Sequence, residues 1–308
     1  MGRRELRAWV IAIRPHTLPA GMAPVVVGVG IAWSDGLASV APATAALVGA
    51  VLIQIGTNLA NDYYDAQRGV DTDERSGFTR VTHAGLLAPV RVKRAMWGSF
   101  LLAIGIGTYL VYVGGLPIAV IGLLSVMFGI AYAGGPAPFG SYALGDVFVF
   151  VCFGLVAVTG TYYVQAVDVL ADPFPLWIPP GTISSAAIAG GVALGALTTA
   201  ILVVNNLRDI ATDRAAGKYT LAVLIGPTAT KGQYVGLLCL AYLVPLWFRL
   251  ESSGWAVLLP LMTAPAAAVL IWRVLGDGGG ETLNVALSRT GQLTAAYALL
   301  FAIGVAIA

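Results

Sequence analysis

The stretch Asn58-Leu59-Ala60-Asn61-Asp62-Tyr63-Tyr64-Asp65 decides how this chain folds, because an apolar run there meets a cluster of carboxylates. The run 42–60 is long and apolar enough to cross a bilayer. The polar residues Asn58, Asn61, Asp62 and Asp65 then follow at i, i+3, i+4 and i+7, which is one face of a helix. Acidic side chains at a membrane boundary are costly unless a charged ligand meets them, so the pattern predicts a binding site.

A second stretch repeats this arrangement, at Asn205-Asn206-Leu207-Arg208-Asp209-Ile210-Ala211-Thr212-Asp213. Asn205, Asp209 and Asp213 are spaced four residues apart and share one helix face. The preceding run, 184–204, is apolar. Two helices that each end in acids predict two half-sites that face each other across a cavity.

The composition indicates a polytopic membrane protein. Hydrophobic residues make up 58% of the 308 and charged residues only 10%, whereas a soluble domain carries roughly 25% charged residues. The mean hydropathy is +0.85. The 38 glycines fit this class, because small residues let transmembrane helices approach closely. We expect a single transmembrane domain over residues 1–308.

Apolar runs divided by Gly and Pro turns predict an all-α bundle of about nine transmembrane helices around a central cavity, capped by cytoplasmic loops. The predicted spans are 17–33, 42–60, 96–113, 116–133, 145–165, 184–207, 232–248, 254–275 and 290–308. With the N-terminus in the cytoplasm, all of the 17 Lys and Arg residues except Arg249 fall inside. The C-terminus then lies outside, and both acidic stretches end even-numbered spans on the cytoplasmic side.

Paired carboxylates with amide neighbours favour a hard divalent cation, and Mg²⁺ carrying phosphate oxygens fits best. Two clusters of this kind would hold a diphosphate through metal ions and stabilise its departure, so that an allylic carbon–oxygen bond ionises. The first cluster continues into Asp71, Asp73 and Glu74. The alternative is that these acids are solvated helix ends interleaved with arginines.

Basic and aromatic residues complete the predicted substrate site. Arg68, Arg80, Arg214 and Lys218 lie close in sequence to the clusters and suit phosphate oxygens. Tyr63, Tyr64 and Tyr132 offer aromatic faces to a cation. The positive-inside bias explains loop arginines without any ligand, and an interfacial belt explains tyrosines.

These residues resemble the UbiA-type intramembrane aromatic prenyltransferases. Asn61-Asp62-x-x-Asp65 is similar to that family's first aspartate-rich motif, and Asp209-x-x-x-Asp213 is similar to its second. The branch that makes menaquinone precursors from 1,4-dihydroxy-2-naphthoate is the most similar. Four further stretches carry this likeness, at residues 14–20, 134–138, 160–165 and 218–222. Where the family often has a third acid, this chain has Gly69, which leaves Asp71 and Asp73 as alternative metal ligands.

The resemblance implies a Mg²⁺-dependent enzyme of a bacterial cytoplasmic membrane that joins a polyprenyl diphosphate to an aromatic acceptor, with its active site facing the cytoplasm. It implies Asp62, Asp65, Asp209 and Asp213 as catalytic residues, and a first-cluster Asp is a candidate base for the acceptor hydroxyl. Metal ligands are expected at Asp62, Asp65, Asp71, Asp209 and Asp213. Substrate contacts are expected at Asn58, Asn61, Arg68, Tyr64, Arg80, Tyr132, Asn205, Asn206 and Lys218.

The residues are also compatible with other functions. The same chemistry on 4-hydroxybenzoate, homogentisate or a glycerol phosphate lipid uses the same aspartates. A cation- or proton-coupled transporter also carries intramembrane acids. Transport predicts acids near the middle of the spans and access from both faces, whereas the acids of this chain crowd one face. Chain length of the prenyl group and oligomeric state do not follow from the residues.

Overall fold

The structure is a computed structural model that describes residues 2–68, 80–131, 139–251, 254–276 and 278–308. Within these ranges the regular elements are helices, and the β-type pairing is limited to one isolated bridge between Tyr142 and Tyr219. The helices are α1 (Arg3–Ile13), α2 (Leu18–Ser34), α3 (Val40–Arg68), α4 (Pro89–Ala131), α5 (Gly145–Val149), α6 (Ala157–Leu170), α7 (Ser185–Ala215), α8 (Leu221–Glu251), α9 (Ala264–Leu275) and α10 (Gly280–Ala306). A π-helical turn, Phe150–Val156, joins α5 to α6, and a 3-10 segment, Trp255–Thr263, precedes α9.

The predicted all-α membrane fold is confirmed, but the count of nine spans is not. Among the described residues, seven helical segments are long and apolar enough to cross a membrane. Helix α4 consists of two helical halves that meet at the non-helical Gly115; they cover the predicted span 96–113 and residues 116–131 of the next one, and together they count once among the seven. Helix α10 covers residues 290–306 of the last predicted span but is not among the seven, because polar residues interrupt the half of α10 that precedes its apolar end.

Helix α4 bends at Gly115, where the sequence predicted a turn. Gly115 has φ 67° and ψ −153°, a conformation that glycine adopts without strain. The amide of Leu116 donates to the carbonyl of Pro175 at 3.0 Å, and the amide of Phe174 donates to that of Tyr112 at 2.9 Å. A Cβ on Gly115 would lie 1.9 Å from the Pro175 oxygen, so only glycine fits there. The segment after α6 is thereby attached to the bend.

The main hydrophobic core lies where α2, α7, α8 and α10 meet. Its largest fully buried side chains include Ile31, Leu194, Tyr234, Tyr297 and Phe301. Glycine residues allow helices to approach closely, as the glycine content predicted. A Cβ on Gly154 would lie 2.3 Å from the Cα of Gly195 on α7.

The two helices with acidic ends run uninterrupted toward the same end of the bundle. Ser184 caps the N-terminus of α7, because its hydroxyl oxygen accepts a hydrogen bond from the Ala187 amide at 3.1 Å. The last two turns of α7 carry Asp209 and Asp213. The last two turns of α3 carry Asp62 and Asp65. Both helix ends therefore deliver carboxylates to one region.

Candidate active site

A cavity of about 800 Å³ opens between the acid-bearing ends of α3 and α7 and continues into the apolar interior of the bundle. Its polar end is where the two predicted half-sites meet. The predicted site residues that line it are Asn58, Asn61, Asp65, Arg80, Asn205, Asn206, Asp209, Asp213 and Lys218. Residues from two distant parts of the chain are thus brought to one pocket.

Each of the lining carboxylates faces a basic side chain. Asp65 pairs with Arg80 at 3.0 Å, and Asp213 pairs with the ammonium group of Lys218 at 3.3 Å. The third pair joins Asp209 to Arg208 and is nearly inaccessible, since the two side chains are 3% and 2% exposed. Buried charges require partners of this kind. The polar end of the cavity therefore has basic groups within reach of every lining carboxylate.

Arg208 is held in place by four hydrogen bonds. Its Nε and Nη2 donate to the two carboxylate oxygens of Asp209, each at 2.7 Å. Nη2 also donates to Oδ1 of Asn205 at 2.9 Å, and Nη1 donates to Oδ1 of Asn284 at 2.7 Å. The sequence did not predict a role for Asn284 on α10, because no spacing rule connects it to Arg208, 76 residues away.

Asp62 has surroundings that differ from those of the other acids. Its two carboxylate oxygens accept hydrogen bonds from the backbone amides of Val81 and Thr82, both at 2.9 Å. The side chain is 1% exposed and is not part of the cavity lining. Each oxygen that accepts one N–H keeps a second lone pair. A role of Asp62 at a metal stays a prediction, and its hydrogen bonds attach the loop before α4 to α3.

The remaining predicted residues are placed as follows. Tyr64 packs against Tyr63 edge to face, with ring centroids 5.1 Å apart, in a hydrophobic cluster beside α1 and α4 rather than in the cavity lining. Asp71 and Tyr132 lie outside the described residues, as does the side chain of Arg68. Their predicted contacts stay predictions.

The turn between α1 and α2 forms one wall of the polar end. Arg14 adopts a left-handed conformation, with φ 55°, and the turn that follows brings Arg14, His16 and Thr17 to the cavity. Asn58 fixes this turn, because its Nδ2 donates to the carbonyl of Ile13 and to Oγ1 of Thr17, both at 2.8 Å. The N–H groups of Asn58 are thus used within the protein.

The donor set of the polar end fits Mg²⁺. Asp65, Asp209 and Asp213 supply carboxylate oxygens, and the lining asparagines supply amide oxygens. Within the described ranges, no three His, Cys, Asp or Glu residues lie close enough together to hold a metal by themselves. Protein sites usually bind Mg²⁺ through one or two carboxylates, with substrate phosphates and water as further ligands. The cavity fits that arrangement and does not form a closed protein cage.

Beyond the acids, the cavity wall is apolar. Phe128 and Phe148 meet there with ring centroids 4.8 Å apart. Val111, Ile118, Val156 and Ile201 are among the aliphatic residues that continue the wall. Such a wall suits a hydrocarbon chain, and the polar end suits an anionic head group.

Comparisons with known proteins find relatives over nearly the whole chain. The family model of the UbiA prenyltransferase family matches residues 21–287. A Mycobacterium tuberculosis protein named 1,4-dihydroxy-2-naphthoate octaprenyltransferase is 38% identical over 96% of this chain and 95% of its own. The Escherichia coli protein of that name is 34% identical over 97% of this chain and 95% of its own. The resemblance that the aspartate motifs predicted is confirmed.

Solved structures show the same fold. A UbiA homologue from Archaeoglobus fulgidus, solved bound to GPP and Mg²⁺, is 16% identical in sequence. The comparison covers 98% of this chain and 100% of that one, with a TM-score of 0.63.

Proposed function

We infer that this chain, which belongs to the UbiA prenyltransferase family, transfers a polyprenyl group from its diphosphate to 1,4-dihydroxy-2-naphthoate, releasing diphosphate and carbon dioxide. The observation that carries the reaction class is the convergence of the α3 and α7 carboxylates at the polar end of an otherwise apolar cavity. The acceptor follows from relatives of that name at 38% and 34% identity over nearly their full length.

The residues of the polar end hold the diphosphate. Asp65, Asp209 and Asp213 would bind Mg²⁺, whose charge stabilises the departing diphosphate when it is bound. The Archaeoglobus homologue solved with GPP and Mg²⁺ supports this cofactor. Arg80 and Lys218, which now face Asp65 and Asp213, are within reach of phosphate oxygens at the same site. Their charge-assisted hydrogen bonds stabilise the anion as negative charge develops on it.

The apolar wall binds the prenyl chain and excludes water from the reacting carbon. An allylic cation formed there would be consumed by the ring of the acceptor rather than by water. The aromatic faces of Phe128 and Phe148 are available to a cation in the cavity. The bilayer supplies the polyprenyl substrate, since the chain is a multi-pass membrane protein.

We also propose that the N-terminus and the active site face the cytoplasm. The positive-inside rule supports this orientation, because Arg80 and Lys218 pair with aspartates at this end of the bundle and Lys93 lies over the ring of Tyr63 there.

Purified protein in nanodiscs tests the proposal. With Mg²⁺, polyprenyl diphosphate and radiolabelled 1,4-dihydroxy-2-naphthoate, we expect a prenylated product that EDTA abolishes and Mg²⁺ restores. Asp209→Asn and Asp213→Asn should each lower kcat at least about a hundredfold, as loss of a preorganised electrostatic contact does. Asp172→Asn removes the charge of an exposed residue after α6 and serves as the matched control.

A panel of acceptors with one prenyl donor tests the choice of substrate. The proposal predicts turnover of the naphthoate and little turnover of 4-hydroxybenzoate or homogentisate. Faster turnover of either benzenoid acid would contradict the proposed acceptor while leaving the reaction class intact. No product with any acceptor, in protein that binds the prenyl diphosphate, would contradict the reaction class.

A further inference from the structure

Gln54 carries a buried hydrogen-bond acceptor that lines the cavity and has no donor. The side chain is 8% exposed, and its Oε1 accepts no hydrogen bond from any of the residues that the structure describes. A buried polar atom without a partner costs free energy, so most such atoms in folded proteins are satisfied. An acceptor kept in this state on a cavity wall indicates a ligand that brings a donor.

The surrounding hydrogen bonds fix which end of the Gln54 amide faces the cavity. Thr17 uses its hydroxyl proton on the carbonyl of Arg14 at 3.0 Å. Asn58 uses its Nδ2 on Ile13 and Thr17, so its Oδ1 can only accept. Nε2 of Gln54 donates to Oγ1 of Thr17 at 3.5 Å and to Oδ1 of Asn58 at 3.4 Å.

The opposite orientation of this amide would be unfavourable. Oε1 would then face Oδ1 of Asn58 and the oxygen of Thr17, neither of which has a free proton to donate. The network therefore holds Nε2 against the protein and leaves Oε1 as the atom that a ligand meets. Gly21 on α2 completes the fit, since a Cβ there would lie 3.3 Å from the Cβ of Gln54 and crowd it.

The proposed function supplies two substrates, and only one of them carries a suitable donor. A polyprenyl chain has no O–H or N–H group. A fully ionised diphosphate has only acceptor oxygens, which a carbonyl-type oxygen repels. The aromatic acceptor carries ring hydroxyl groups, which donate. Resting on the proposed function, we propose that Oε1 of Gln54 accepts a hydrogen bond from a ring hydroxyl of the acceptor and so orients its ring in the cavity.

The position of Gln54 along α3 agrees with this role. Gln54 precedes Asn61 by seven residues, about 10 Å along a helix axis. It therefore lies deeper in the cavity than the aspartates, on the face that Asn58 and Asn61 share. An aromatic ring held between Gln54 and the diphosphate would lie beside the carbon that the diphosphate leaves.

Kinetics with a single substitution test the proposal. Gln54→Met keeps the unbranched shape of the side chain and removes the amide. We expect KM for 1,4-dihydroxy-2-naphthoate to rise about tenfold, the effect of one lost hydrogen bond at a buried site. KM for the prenyl diphosphate should stay within about twofold. Gln292→Met makes the same chemical change on the exposed face of α10 and should change neither constant.

Two inhibitors test the hydrogen bond itself, without any variant. We would measure 1-hydroxy-2-naphthoate and 4-hydroxy-2-naphthoate as competitive inhibitors against the acceptor. In the unsubstituted protein, the analogue that lacks the hydroxyl that Gln54 contacts should bind about tenfold more weakly than the other. In Gln54→Met the two should bind within about twofold of each other, because the substitution and the missing hydroxyl remove the same contact.

The remaining outcomes distinguish the proposed role of Gln54 from the proposed function of the protein. If the unsubstituted protein prenylates the naphthoate but binds both analogues equally, Oε1 of Gln54 does not bind a hydroxyl of the acceptor, and the proposed role of Gln54 is wrong. The same holds if Gln54→Met folds and keeps the acceptor KM of the unsubstituted protein. If the unsubstituted protein prenylates a different acceptor instead of the naphthoate, the proposed function is wrong, whatever the Gln54 variant shows.

Discussion

Arg208 shows how individual residues organise the second aspartate stretch. Its guanidinium group binds both oxygens of the neighbouring Asp209, and Asn205 and Asn284 hold it from two other directions. A planar guanidinium presents its donors in a fixed fork, so each partner constrains where Asp209 points. The amide of Asn284, on α10, is therefore a positioning group for a carboxylate on α7.

Substitution of Asn284 tests this positioning role. Asn284→Leu keeps a similar volume but leaves a buried Arg208 donor without its acceptor, which costs about 1–3 kcal/mol of stability. We expect a lower unfolding temperature and a lower apparent affinity for Mg²⁺ in the activity assay. Asn284→Asp retains an acceptor oxygen and should restore the Mg²⁺ affinity. If Asn284→Leu and Asn284→Asp change that affinity equally, Asn284 does not position Asp209.

The sequence predicted the aspartates and the nearby Arg80 and Lys218, but it missed residues whose roles depend on contacts between distant elements. Asp209 and Asp213 follow from the helical period alone, since both lie on α7 and line the cavity. Gln54 also lies on the predicted face of α3, one turn before Asn58. The orientation of its amide, however, depends on a hydrogen bond to Thr17 from a different element. Asn284 depends on α10 packing beside α7, and no local pattern encodes that contact.

At the scale of elements, Asp62 attaches the loop before α4 to helix α3. Its oxygens accept the amides of Val81 and Thr82, and the neighbouring Arg80 reaches Asp65 on the same helix. This loop therefore depends on the same helix turns that carry the first aspartates. The spacing predicted Asp62 as a metal ligand but could not show that its oxygens also accept two backbone amides, and its role at a metal stays a prediction.

Hydrogen exchange separates the two possible roles of Asp62. Asp62→Asn replaces one acceptor oxygen with a donor that opposes a backbone N–H, so we expect the Val81 and Thr82 amides to exchange at least about tenfold faster. Asp65→Asn is the control, since Asp65 binds the side chain of Arg80. If exchange at 81–82 is unchanged in Asp62→Asn, the loop does not depend on this carboxylate.

Helix packing at Gly154 gives a second prediction at this scale. Gly154→Ala places a Cβ 2.3 Å from the Cα of Gly195 and 2.5 Å from the carbonyl oxygen of Gly191, so the π-helical turn and α7 must separate. Overpacking of this kind costs about 1–3 kcal/mol. Thermal unfolding in detergent should show a lower midpoint. Gly105→Ala, where a Cβ meets nothing within 4 Å, should leave the midpoint unchanged or raise it.

At the scale of the whole molecule, the two ends of the bundle differ in charge. The end with the aspartates also carries exposed Arg91, Lys93 and Arg94 at the start of α4. The opposite end contains the Gly115 bend and carries the hydrogen bond from the Tyr162 hydroxyl to Asp35 at 2.7 Å. The sequence predicted the turn at Gly114-Gly115, and the two halves of α4 meet there at a non-helical residue. The count of nine spans stays a prediction, because only seven helical segments of the described residues pass the length and hydropathy test for a span.

This asymmetry predicts the orientation in the membrane. In protein carrying Cys152→Ser and Cys239→Ser, single cysteines introduced by Arg94→Cys and Asp172→Cys would report the two ends, since both positions are exposed. Basic residues stay on the cytoplasmic side during insertion. A membrane-impermeant maleimide applied to right-side-out vesicles should therefore label Asp172→Cys at once and Arg94→Cys only after the vesicles are opened. The reverse pattern would place the aspartate end of the cavity outside the cell and contradict a cytoplasmic active site. Equal labelling of both positions before opening would mean that the two ends do not lie on opposite sides of the bilayer.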